Sequence, residues 1–256
     1  DNGEKISDSD ETFSPKAGIV FSATDELSFY ASYSETFQQI KGDQYASLNK
    51  TDSKSDHSTF ENLETGLRYD FASGLSFSAS VYELNFIKPT TNDNGASFVN
   101  TEAETTGLEL QLQGNITEKW FISAGYTSLD ATNEVGLDLR ESPDSSFSLF
   151  NNYQVTDRLG LNLGIVYYDK SLINNPKYDD HDKDPATPKT WKTYDQYLPD
   201  YARVDVGASY LISDNTSVQL NVENLTDELY YPHAHGSHQA SVGAPINAML
   251  SITSTF

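Results

Sequence analysis

Cysteine is missing from all 256 residues, and methionine occurs once. The first absence removes disulfide staples and thiolate chemistry. No run of about eighteen apolar residues occurs, so no transmembrane helix is expected. Basic residues are scarce: 16 Lys and Arg stand against 38 Asp and Glu, a formal net charge of −22. A nucleic-acid partner is therefore not expected, because phosphates need Lys and Arg to neutralise them. Also missing are a Gly-x-Ser-x-Gly elbow, a His-Glu-x-x-His zinc motif and a phosphate-binding glycine loop. Nothing in the chain calls for a catalytic residue, a cofactor or a resident metal. No signal peptide is visible, and the opening Asp1-Asn-Gly-Glu reads like the middle of a longer chain.

Aromatic residues are plentiful, with 16 Tyr and 13 Phe, which sets the chain apart from an acidic disordered tail. The mean hydropathy of −0.54 resembles that of a soluble protein. It is a poor guide for a membrane barrel, whose strands alternate lipid-facing and lumen-facing residues.

Period-two alternation recurs along the whole chain, and no helical period appears. Phe13, Ala17, Ile19 and Phe21 share one face, as do Leu27, Phe29, Ala31 and Tyr33. Leu63 to Phe71 opposes apolar residues to Asn62, Glu64, Gly66, Arg68 and Asp70. The same pattern marks strands around Leu75–Val81, Leu108–Gln113, Trp120–Tyr126, Phe147–Tyr153, Leu159–Tyr167, Ala202–Tyr210 and Val218–Val222. In the last stretch Leu250, Ile252 and Phe256 oppose Ser251, Thr253 and Thr255. A strand with one oily face and one hydroxyl face suits a wall between lipid and water.

Short turns and long loops alternate strictly. Ala23–Glu26, Ala72–Gly74, Asn115–Glu118, Val155–Arg158 and Ser213–Asn215 are short. Loops at 38–58, 89–97, 131–141, 171–197 and 231–242 are longer. Outer-membrane barrels have short periplasmic turns and long extracellular loops, so the pattern orients every strand. Phe21, Phe29, Tyr69, Phe71, Phe77, Trp120, Tyr153, Tyr210 and Phe256 cluster near the short-turn ends, as an interfacial aromatic girdle would.

The fold expected is all-β: an antiparallel transmembrane β-barrel meander of about eleven strands. An odd meander has its first and last strands running the same way. Closing it would need a parallel seam, and leaving it open would expose backbone groups to lipid at several kcal/mol each. The simplest resolution is that residues 1–256 form part of a larger barrel.

Asn224-Leu225-Thr226-Asp227, Tyr230-Tyr231, the Gly243-x-Pro245 step and the terminal Phe256 resemble the end of a TonB-dependent outer-membrane receptor, siderophore-receptor branch. Phe13-Ser-Pro-Lys-Ala-Gly18, Tyr30-Ala-Ser-Tyr-Ser34 and Leu198-Pro-Asp-Tyr-Ala-Arg-Val-Asp205 extend the resemblance over the chain. Members usually carry Arg after the Gly-x-Pro; Ile246 stands there instead. The resemblance implies the C-terminal half of a twenty-two-stranded barrel, with residues 1–256 as barrel domain and the plug domain outside them. It implies capture of a ferric siderophore, with TonB, ExbB and ExbD driving uptake through the plug. Outer-membrane lipid and lipopolysaccharide would surround the wall.

Candidate ligand-binding residues lie in the long loops. His233, His235 and His238 form a His-x-His-x-x-His run whose imidazoles suit iron, zinc or copper; a polar loop is the plainer reading. Haem uptake is the alternative these histidines motivate. Tyr45, Trp191, Tyr194 and Tyr197 suit stacking on an aromatic or catecholate ligand, or on one another. Arg140, with Lys41, Lys50 and Lys54, would attract an anionic complex. Asp179–Asp184 lacks the glycine and distal glutamate of a calcium loop and reads as solvated charge. Glu64, Arg68, Glu109, Arg203 and Asp205 fall on lumen-facing parity, where they pair across the wall or meet the plug. Rival functions are an outer-membrane barrel enzyme using His233 and the Asp179–Asp184 cluster, and a passive porin.

Overall fold

The computed structural model describes residues 11–38, 57–91, 98–174, 177–179, 190–192 and 196–255. The strands in chain order are β1 (Lys16–Ser22), β2 (Leu27–Gln38), β3 (Ser58–Asp70), β4 (Leu75–Thr91), β5 (Phe98–Thr117), β6 (Trp120–Asn133), β7 (Ser145–Gln154) and β8 (Leu159–Tyr168). Then follow β9 (Ser171–Leu172), β10 (Lys177–Asp179), β11 (Thr190–Lys192), β12 (Tyr197–Leu198), β13 (Tyr201–Ser213), β14 (Thr216–Glu223), β15 (His233–Gly236), β16 (Gln239–Ser241) and β17 (Asn247–Ser254). Eleven of them make one antiparallel sheet in the order β1-β2-β3-β4-β5-β6-β7-β8-β13-β14-β17. The other six form three two-stranded ribbons, β10-β11, β12-β9 and β15-β16, inside the longest connections. No helix occurs among the described residues.

The strands are neighbours in sequence order because each antiparallel pair is joined by one connection. Register fixes the two faces. One cross-strand row runs Ala31, Thr65, Val81 and Leu108, and the next Tyr30, Gly66, Ser80 and Glu109. The row Val206, Val222 and Ala248 lies beside Gly207, Asn221 and Met249. A slip of one residue in any strand would exchange the two faces. The apolar face stays bare: Ile19 is 70% and Ile252 68% exposed.

A soluble protein of 28.4 kDa should expose about 11,000 Å². This chain exposes 17133 Å². The excess is what a single-layer wall without a dry core presents. On β3 the apolar band of the outer face runs from Leu63 to Tyr69, about 20 Å along the strand. Glu61 ends it, directly opposite Glu35 on β2. Glu83 and Asp130 continue that polar collar, since both face Thr106 or its neighbours on the same parity. At the other edge of the band Tyr69 packs edge-on against Phe71 with centroids 4.7 Å apart, and Trp120 against Tyr153 at 6.5 Å. The aromatic girdle expected from sequence is in place at the short-turn rim, except for Phe256, which lies outside the described residues.

That rim is built from a repeated local device. In Thr24-Asp-Glu-Leu27 the Thr24 hydroxyl oxygen accepts from the Glu26 and Leu27 amides at 3.1 and 3.0 Å. In Thr156-Asp-Arg-Leu159 the Thr156 hydroxyl accepts from the Arg158 and Leu159 amides at 3.3 and 3.0 Å. Thr117 accepts from Lys119 at 3.3 Å in the turn between β5 and β6. A threonine hydroxyl substituting for a backbone acceptor closes the turn without outside help.

Candidate functional site

Apart from Gly160 at the start of β8, the buried residues gather at the opposite rim. Among the described residues Ala131, Leu172, Leu198, Tyr230, Ala234, Ser58 and Asn224 are buried. All sit where strands meet long loops. Packing is thus concentrated there, over the polar face of the wall.

Three loops are clasped together. The amide of Glu141 donates to the Leu172 carbonyl at 2.8 Å, tying the β6–β7 connection to β9. Glu141 takes the left-handed backbone conformation, φ 53°, which turns its carboxylate toward β15. That carboxylate accepts from the Ala234 amide at 2.8 Å and lies 2.6 Å from His233 Nδ1. Arg140 Nη2 donates to the Ala234 carbonyl at 2.6 Å and approaches Glu141 at 3.3 Å. Burial alone would raise the Glu141 pKa. The Ala234 amide, Arg140 and His233 outweigh it and hold the carboxyl below its ordinary value.

Beside the clasp stands a tyrosine ladder. Tyr168 and Tyr201 are cross-strand partners with centroids 5.6 Å apart. Tyr201 stacks on Tyr230 at 4.8 Å. Arg203, two residues along β13 and so on the same face, donates to the Tyr230 hydroxyl at 3.3 Å and to Asp205 Oδ2 at 2.9 Å. Asp205 Oδ1 in turn accepts from the Asn224 amide at 2.8 Å.

Asn224 anchors this end. Its φ is 51°, a conformation asparagine tolerates better than most residues. Its side chain donates to the carbonyls of Glu228 and Ala244 at 2.9 and 3.0 Å and accepts from the Glu228 amide at 2.9 Å. Asp227, φ 53°, accepts from the Ile246 amide at 2.9 Å. The Asn-Leu-Thr-Asp motif therefore welds the exit of β14 to the entry of β17. Gly243 completes the weld: any Cβ there would run into the Tyr230 ring.

A cleft of about 260 Å³ opens between clasp and ladder, lined by Glu141, Pro143, Tyr168, Asp169, Tyr201 and Tyr231 among others. No Lys or Arg belongs to that described lining. Asp144 lies close by in sequence. Burial first, then the charges of Asp138 and Asp169, raise its pKa. Aromatic faces beside acceptor oxygens equip the cleft for a planar or ring-bearing ligand.

The sequence-derived residues fare unequally. Arg140 and His233 are both spent on the clasp. His235 and His238 lie side by side at the tip of β15–β16, Nδ1 to Nε2 3.3 Å. Tyr197 is half-exposed, with the Lys170 ammonium 5.0 Å from its ring centre. Trp191 falls in β11, opposite Tyr178. Tyr45, Tyr194, Lys41, Lys50 and Lys54 and most of the Asp179–Asp184 run lie outside the described residues.

On the polar face, the ion pairs among the described residues run along single strands instead of across the wall. Arg68 pairs with Asp70 at 2.8 Å and Arg203 with Asp205 at 2.9 Å. The reason is spacing: residues two apart on one strand share a face and stand close enough to pair. Glu64 instead accepts from the Tyr30 hydroxyl. Neither Glu64 nor Glu109 has a cation against it among the described residues. Sequence reading missed Glu141 and the Tyr168–Tyr201 pair. Tyr201, Arg203 and Asp205 share one parity, which was the signal for the ladder. Glu141 left none.

A single-layer, eleven-strand meander with an oily face, a polar face and one clasped rim is a piece of outer-membrane barrel wall. The chain belongs to the TonB-dependent receptor-like β-barrel family, whose model matches residues 1–225. That family is one of outer-membrane transport receptors. The chain is 28% identical over 261 residues to a probable TonB-dependent siderophore receptor, PiuA, of Acinetobacter baumannii, covering 93% of this chain and 33% of PiuA. It is 28% identical over 258 residues to the ferripyoverdine receptor of Pseudomonas aeruginosa, covering 93% and 30%. The crystal structure of PiuA superposes with a TM-score of 0.76 at 26% identity, over 93% of this chain and 35% of that one. The chain thus spans about a third of the length of these relatives.

Proposed function

We propose that residues 1–256 are the C-terminal half of a twenty-two-stranded barrel in a receptor that takes up a ferric siderophore across the outer membrane of a Gram-negative cell. The observation that carries this reading is the clasped rim. The described parts of three long loops are tied together at Arg140, Glu141, Leu172 and Ala234 beside an aromatic cleft on the polar face, where a ligand arriving from outside would be caught. Short turns on the periplasmic side carry no comparable structure. Movement of the ligand would need a plug domain within the lumen and TonB, ExbB and ExbD to work on it. Glu64 and Glu109 are suited to meet such a plug, since on the polar face neither has a cation against it among the described residues. Lipid and lipopolysaccharide would cover the oily face and its acidic collar. Haem is the weaker reading, because Glu141 already holds His233.

The test uses the full-length receptor in iron-starved cells. Uptake of ferric siderophores as radioactive iron should require TonB, and Tyr201→Ala should weaken ligand binding with receptor abundance unchanged. Uptake that persists without TonB, or binding indifferent to Tyr201→Ala, would overturn the assignment of transport or of the cleft respectively.

A further inference from the structure

The cleft between clasp and ladder has a charge as well as a shape. We propose, on the siderophore reading above, that it selects ferric chelates by charge, admitting one that carries a protonated amine and turning away a polyanionic one. Its described lining includes two carboxylates, Glu141 and Asp169, and no Lys or Arg. Asp200 stands in sequence between the lining residues Pro199 and Tyr201 and is exposed. Glu141 is committed to Ala234, His233 and Arg140. Among the described residues, the Asp169 carboxylate accepts one hydrogen bond, to Oδ1 from the Lys170 amide at 2.8 Å. Acceptor capacity therefore remains for an ammonium in the cleft that Asp169 lines.

The rings around the cleft already hold cations of the chain itself. Lys170 Nζ lies 5.0 Å from the centre of the Tyr197 ring, and the Arg203 guanidinium 6.0 Å from that of Tyr230. Tyr168, a lining residue that is 41% exposed, offers a ring of the same kind to a ligand. The local potential is negative as well. Burial first, then Asp138 and Asp169, hold the Asp144 carboxyl above its ordinary pKa, against an opposing pull from Lys170. A cleft lined by charge of one sign and walled by rings concentrates its field. A trianionic iron tris-catecholate is repelled there. A ferric trihydroxamate with a pendant ammonium meets a carboxylate and a ring together.

Titration calorimetry of the detergent-solubilised full-length receptor tests this with three forms of one ferric trihydroxamate. One has a free pendant amine, one is acetylated there and uncharged, and one is succinylated and anionic. An iron tris-catecholate serves as the polyanion. The amine form should bind about tenfold more tightly than the acetylated form, with the two anionic chelates weaker still. Added salt should shrink that preference. Asp169→Asn keeps the side chain's shape and an oxygen for the Lys170 amide, and should bring the amine form down to the level of the acetylated one. Equal or tighter binding of the acetylated, succinylated or catecholate form, or a preference indifferent to Asp169→Asn, would overturn charge selection and leave siderophore uptake standing. Binding of none of the four would count against the siderophore reading and take charge selection with it.

Discussion

The two rims of this wall solve one problem, returning the chain, by opposite means. At the short-turn rim each connection closes mainly on itself, with at most a backbone bond to the neighbouring strand, as from the Asp70 amide to the Glu26 carbonyl. The Thr24 and Thr156 turns share the same hydrogen bonds within three residues of sequence. At the long-loop rim the decisive bonds are remote. Arg140 reaches Ala234 across 94 positions, and Asp205 meets Asn224 across 19. Local turns can be altered singly, whereas the clasp and the weld fail as units. Strands were kept simple on the side that only has to turn, and tied together on the side that has to hold a shape.

The strongest blow to that contrast is Asn224→Ala. Three groups lose their buried partner, and each costs about 1–3 kcal/mol, so a loss of about 3 kcal/mol is expected in urea unfolding. Next is Gly243→Ala, which drives a methyl into the Tyr230 ring. About 2 kcal/mol should be lost, as in other overpacked sites. Gly18→Ala, where the nearest atom is 3.6 Å away, serves as the near-silent control.

Glu141→Ala should act locally, speeding hydrogen exchange at residues 233–241 while the sheet keeps its protection. The pH dependence follows from the depressed Glu141 pKa. Its contribution is complete above the ordinary carboxyl value of about 4.3. It is lost as pH falls through the lower folded-state value. Exchange in the parent protein should therefore quicken only in that acid window, and in the variant be fast throughout. The smallest effect belongs to Thr156→Ala at the other rim, about 0.5 kcal/mol or less, with Thr24→Ala its equal.

How far the sequence could be read follows the same division. Strand number, parity and the alternation of short turns with long loops were legible, because period two and turn chemistry are written within a few residues. Arg140 and His233 looked like free loop groups because their partner, Glu141, gives no local sign. Arg203 and Asp205 lay on the right face, yet their pairing along one strand is a matter of side-chain reach that parity does not express. Asn224 stood out as a family marker before its work as a four-bond anchor could be seen.

Tyr30 lies over Gly66, Tyr82 over Gly107 and Tyr230 over Gly243, each glycine bare beneath a phenol ring. Rings laid flat in this way behave as tiles. They cover backbone without standing up from it, so the polar face of the wall stays low at Gly66 and Gly107, and the buried Tyr230 fills the space over Gly243. A single side chain grown from Gly66 or Gly107 would lift its tile off the wall.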